Sequence, residues 1–94
     1  MTISYTPQAI ADLQRLREFI GVKNPRAARR AADELRAGID KLKQFPNMGI
    51  PVPRAPNPDI VRDLFIGLYT VRYLVNGKAV TILRVWHDKE AGRS

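Results

Sequence analysis

Two hydrophobic periods divide the chain. In the first half, apolar residues recur three or four positions apart: Ile10, Leu13, Leu16 and Ile20, then Ala28, Ala31, Ala32, Leu35, Ile39 and Leu42. That spacing predicts two amphipathic helices. Each begins with a start signal, Thr6-Pro7 and Asn24-Pro25, in which a capping side chain precedes a proline at the first helical position. Gly21 begins the stop of the first helix, and the second runs on to near Phe45-Pro46. Helices joined so briefly pack as an antiparallel hairpin, and the small alanines let them approach closely.

From Ile60 the period changes to two. Residues 60–66, 68–75 and 79–87 read as three strands, joined by a tight turn at Gly67 and a type I′ hairpin at Asn76-Gly77, where φ must be positive. Residues 2–5, TISY, form a short β-prone segment before the helices. Between helices and strands lies PNMGIPVPRAPNPD, residues 46–59, holding five of the seven prolines. Proline removes donors and fixes φ, so this stretch is an extended loop. Residues 88–94 form a polar, frayed tail.

The order predicts an α+β fold of β-α-α-β-β-β type. An N-terminal strand and an α-helical hairpin pack on a mainly antiparallel β-sheet. In the middle strand Val71, Tyr73 and Val75 share the face expected under the helices, while Thr70, Arg72 and Leu74 share the open face. A chain of 94 residues has room for one core, so residues 1–94 read as a single domain.

Composition narrows the chemistry. There is no cysteine and one histidine, which excludes a disulfide framework and a zinc centre; no cofactor and no metal are expected. The formal charge of +7 points to an acidic partner. The N-terminus lacks the basic and apolar regions of a signal peptide, and no window is long and apolar enough to span a membrane. A cytoplasmic protein with no membrane partner is the expectation.

Several polar residues invite a role. Arg62, Arg72 and Arg84 could bind phosphate, with Arg62 placed on the open sheet face in preference to a pairing with Asp59 or Asp63. His87 could serve as a base, as a contact residue beside Trp86, or as a cap on the last strand hydrogen-bonded to nearby main chain; the last is preferred, because the adjacent Asp88 points oppositely. Trp86 reads as a core or rim aromatic. Asp12 and Glu18 read as surface carboxylates. On the second helix, Arg26, Arg29, Arg30, Arg36, Lys41 and Lys43 read as a solvated face with Arg29–Asp33, Arg30–Glu34 and Arg36–Asp40 pairs. A nucleic-acid footprint on this face is the less favoured reading, because no aromatics interleave with these cations.

A set of short matches runs through this layout in order. They are Tyr5-Thr6-Pro7-Gln8-Ala9 with Asp12-Leu13, Asn24-Pro25 with Ala27-Ala28, Leu42 with Phe45-Pro46 and Gly49, Arg62 with Leu64, Tyr69 to Tyr73, and Ile82-Leu83-Arg84-Val85 followed by His87. In this order and spacing the chain resembles the ParE branch of the RelE/ParE superfamily, toxins of bacterial toxin–antitoxin pairs. The resemblance implies a cognate antitoxin with an acidic C-terminal segment, a toxin–antitoxin hetero-oligomer, and DNA gyrase as the target. No catalytic residue is assigned, and Arg62, Arg72, Arg84, Trp86 and His87 are the residues expected to contact target or antitoxin. The RelE-like branch instead cuts messenger RNA in the ribosome. It carries an arginine after the tyrosine or histidine that opens the middle strand, and here that position is Thr70.

Overall fold

The computed structural model describes residues 1–57 and 60–90. The elements are β1 (Thr2–Tyr5), α1 (Pro7–Gly21), α2 (Pro25–Asp40), a 3-10 turn (Lys41–Lys43), β2 (Ile50–Pro51), β3 (Val61–Ile66), β4 (Tyr69–Asn76) and β5 (Ala79–His87). Both helices start as their sequences specify. Thr6 Oγ1 accepts the Ala9 N–H at 3.0 Å and Asn24 Oδ1 accepts the Ala27 N–H at 3.0 Å. The second helix ends at Asp40, short of its apolar stripe, and Leu42 is buried from the 3-10 turn. Pro46 disfavours helical geometry in the residue before it, so the chain tightens as it leaves the helix.

The sheet has the order β1-β5-β4-β3-β2. β1 runs parallel to β5, and every other pairing is antiparallel. The fifth strand, β2, lies within the proline-rich segment, where Pro51 pairs with Arg62 at the sheet edge. An edge is where a strand tolerates a residue that cannot donate. Gly67 and Gly77 take positive φ at the two hairpin turns, but the expected type I′ turn at Asn76-Gly77 does not form. Asn76 ends β4 paired with Ala79 without positive φ, so Gly77-Lys78 is the two-residue turn and only its glycine needs the left-handed region.

The core lies between the helices and one sheet face. Ala9 and Leu16 of α1, Leu35 and Ile39 of α2 and Leu42 meet Leu64, Val71, Tyr73, Val80, Ile82 and Val85 of the sheet. Tyr73 is the largest fully buried side chain. Its hydroxyl donates to Pro46 O at 2.7 Å and accepts the Gly49 N–H at 2.9 Å, so a core residue holds down the start of the loop. Burial pushes this phenol's pKa up, against the opposing effects of the Gly49 N–H and Arg62. Gly49 leaves room for the contact: a Cβ there would stand 2.7 Å from the Tyr73 oxygen.

Arg62 departs from its expected place on the open face. Leu64 is in the core, so Arg62, two residues away, lies on the helix side. Its Nη1 donates to Gly49 O at 2.9 Å and to Asn47 O at 3.4 Å. The alternative partner Asp59 lies outside the described residues, and the neighbouring Asp63 bonds Arg72. The tail also departs in part. Residues 88–90 are tied to the body of the protein, with Asp88 N donating to Leu68 O at 2.8 Å; residues 91–94 of the expected tail lie outside the described residues. Among the described residues, no helix is long and apolar enough to cross a membrane.

Replacing Tyr73 with Phe removes one hydroxyl and leaves Gly49 N–H without its acceptor. The expected loss is about 1–3 kcal/mol of stability in urea unfolding, the usual range for a buried group left unpaired.

Candidate functional site

β1 is shorter than β5. Their pairing ends at Tyr5↔Ile82, and among the described residues no strand lies beside the β5 edge from Leu83 to His87. Helix α1 fills this gap with side chains. Thr6 Oγ1 donates to Leu83 O at 2.9 Å, Val85 N donates to Asp12 Oδ2 at 2.9 Å, and Arg15 Nη2 donates to Val85 O at 3.2 Å. Glu90 completes the edge, accepting the His87 N–H at 2.8 Å and donating its own N–H to His87 O at 3.0 Å. Buried or edge backbone groups need such partners.

Asp12 is the centre of this arrangement and is no surface carboxylate: it is 2% exposed. Arg84 donates to it twice, at 2.7 and 3.1 Å, and Arg15 donates at 2.6 Å. Arg15 also reaches Glu90 at 2.9 and 3.2 Å. Burial raises the Asp12 pKa, but the hydrogen bonds from Arg84, Arg15 and Val85 N–H outweigh it and the net shift is downward. Glu90 is likewise lowered: burial opposes, and bonds from Arg15 and the His87 N–H prevail. The signal for Asp12 was present in the sequence. Ala9, Asp12 and Leu16 fall on one helical face, and all three are buried.

Across the sheet from the helices, Asp63, Arg72 and Arg84 form one row, and Phe65, Thr70 and Trp86 the next. Arg72 binds Asp63 through two parallel bonds of 2.9 and 3.1 Å. The guanidinium carbons of Arg72 and Arg84 lie 4.9 and 5.4 Å from the Trp86 ring centre. Trp86 is buried, and Thr70 is fully buried with a hydroxyl that finds no partner among the described residues. The proline-rich segment 50–56 borders this face, forming a cleft with Val61, Asp63, Phe65 and Arg72.

Of the five residues singled out by sequence, Arg72, Arg84 and Trp86 therefore come together. Arg62 and His87 do not join them. His87 pairs in register with Tyr69 on the helix side, its ring 5.1 Å from Tyr69 and 6.1 Å from Phe19. Its Nδ1 accepts the Lys89 N–H at 3.0 Å, which leaves the ring proton on Nε2 in the neutral form. Among the described residues, no group of three or more His, Cys, Asp or Glu is placed to hold a metal.

A second feature lies between the helices. Leu13 and Ile20 of α1, Ala28, Ala31 and Leu35 of α2 and Tyr69 line an open apolar groove of about 270 Å³, with Arg17 and Arg36 beside them. The expected Arg36–Asp40 pair is replaced by Arg36–Asp33 at 4.0 Å. Neither Arg29–Asp33 nor Arg30–Glu34 forms. An arginine N-terminal to its acid is the weaker order for such pairs, and Glu34 lies instead beside the Gly67 turn.

Solved structures share the architecture. A chain of the chromosomal ParDE TA system of P. aeruginosa aligns over 93% of this chain and 95% of its own, with a TM-score of 0.76 and 27% identity. The Mycobacterium tuberculosis RelBE2 toxin–antitoxin complex contains a chain that aligns over 92% and 95%, with a TM-score of 0.61 and 26% identity. Toxin RelE2 of Caulobacter vibrioides is 32% identical over 85 residues, covering 90% of this chain and 92% of that one. Toxin RelE1 of the same organism is 31% identical over 93 residues, covering 95% of each. The class is that of RelE/ParE toxins. More narrowly, the model for the ParE toxin of the type II toxin–antitoxin system parDE matches residues 3–92, and the chain belongs to that family.

The Asp12 cluster gives stability a defined pH dependence. A carboxylate with a lowered folded pKa stabilises the protein above its ordinary value of 3.8 and loses that contribution as pH falls through the lower folded value. Asp12→Asn should flatten the acid limb of a thermal-unfolding series below about pH 4. At pH 7 it should cost about 2–3 kcal/mol, less than a fully buried pair, because the Arg15 and Arg84 side chains are 42% and 43% exposed.

Proposed function

We propose that this toxin acts by stoichiometric binding to DNA gyrase and is neutralised by a cognate antitoxin. The ParE family match supports the target. One observation favours binding over turnover: the groups a ribonuclease would need are divided between the two faces of the sheet. Cleavage by 2′-OH attack requires a base, an acid and a cation for the charge that develops on phosphate. His87 lies on the helix side, packed on Tyr69 and bonded to main chain. Arg72 and Arg84 lie on the other face, each already neutralised by a carboxylate. Thr70, buried and uncharged, cannot replace a guanidinium.

The antitoxin reading rests on the groove between α1 and α2. Its walls are apolar and flanked by Arg17 and Arg36, which suits an amphipathic segment carrying acidic residues. Chains solved in a ParDE system and in the RelBE2 toxin–antitoxin complex share the fold that forms it. The relatives named RelE1 and RelE2 favour a second reading, ribosome-dependent cleavage of messenger RNA.

Purified toxin titrated into a gyrase supercoiling reaction should stop it at a fixed toxin-to-gyrase ratio, and added antitoxin should restore it. With programmed ribosomes it should leave the message intact. Many cuts per toxin molecule in the ribosome reaction, with supercoiling untouched, would establish the nuclease instead.

A further inference from the structure

The basic residues divide into two sets. Arg15, Arg72 and Arg84 are bonded to carboxylates, and Arg62 to loop carbonyls. These cations serve the fold. The side chains of Lys23, Arg26, Arg29 and Arg30 are exposed and, like those of Arg17, Lys41, Lys43, Arg54 and Lys78, form no ion pair or side-chain hydrogen bond among the described residues. These four are the ones gathered at a single place. Arg26, Arg29 and Arg30 lie three and four residues apart, on neighbouring positions of one outward helix surface. The apolar groove is lined by Ala28, Ala31 and Leu35 on the other side of α2.

Nothing among the described residues accounts for four cations at this end of α2. The helix dipole is positive there, and the first turn holds no acidic residue to offset it. The acids next along the helix lie elsewhere, Asp33 near Arg36 and Glu34 beside the Gly67 turn. A dense, unpaired and mutually repelling row is complementary to a regular row of negative charges. A duplex backbone supplies one, and its recognition needs no aromatic platform, unlike that of a single strand.

We propose that Lys23, Arg26, Arg29 and Arg30 form a surface that binds the phosphate backbone of duplex DNA without regard to sequence. The choice of DNA rests on the gyrase reading, because gyrase works on duplex DNA and a toxin with its own grip on the duplex would gather where the enzyme is engaged. The groove on the opposite side of α2 stays available to an antitoxin.

The test uses the full chain, a fluorescent linear DNA duplex, and anisotropy across 50–200 mM salt. One variant carries Lys23→Gln, Arg26→Gln, Arg29→Gln and Arg30→Gln. A control carries Arg54→Gln, Lys41→Gln, Lys43→Gln and Lys78→Gln, removing the same charge elsewhere; circular dichroism checks both folds. The first variant should lose at least about tenfold in affinity, with its log–log salt slope shallower by about 3–4 units, near 0.9 for each phosphate contact. The control should lose much less. Equal losses in the two variants, unchanged binding by the first, or tighter binding of a matched RNA duplex through the same residues would each overturn the proposal. No gyrase is present in this assay, so a failure of the gyrase reading in the supercoiling reaction is seen separately.

Discussion

A single buried carboxylate joins the two halves of this protein. Asp12 on α1 takes the Val85 N–H, two bonds from Arg84 and one from Arg15. It thereby completes the backbone ladder of β5 where β1 has ended, and it fixes the helix against the sheet at the same point. Without a negative charge there, two guanidinium groups would face one another and a main-chain donor would lie buried without a partner. The position of Arg84 beside Trp86, and hence the shape of the open sheet face, follows from this anchor.

Charge in this molecule has two distinct uses. Within the sheet region every arginine is committed: Arg72 to Asp63, Arg84 to Asp12, Arg15 to Asp12 and Glu90, Arg62 to the loop. Counted by residue, α1 has no net charge and α2 a single positive one, so most of the net charge of +7 lies outside the two helices. Fold stability and long-range attraction can vary independently when different residues carry them.

The fold was legible in the sequence because its signals were local. Capping residues at Thr6 and Asn24, the helical stripes, Asn76-Gly77 and the period of two specify helices and strands without tertiary information. What escaped depended on register. Arg62 was assigned to the wrong face because the choice turns on whether its neighbour or Leu64 enters the core, a phase that one strand's sequence leaves ambiguous. β2 escaped because Ile50-Pro51 becomes a strand only by lying against Arg62 and Asp63. By residue type Asp12 reads as a surface carboxylate, yet its helical phase matches Ala9 and Leu16, and at that site position decides. Arg72, Arg84 and Trp86, singled out by sequence, do lie together on the open face, while their carboxylate partners required a map of which strands and helices meet.

The parallel pairing of β1 with β5 has a consequence for how the molecule comes into being. The Thr6 hydroxyl bonds Leu83 O, a residue 77 positions later, and Asp12 waits for Arg84 and Val85 over nearly the same interval. On the ribosome the helical hairpin can form early from local contacts, but the first strand has no neighbour until the last has emerged. The sheet therefore closes only when synthesis is almost finished. A nascent copy lacks its finished surface for most of translation, which gives a neutralising partner made beforehand time to be waiting when the toxin is complete.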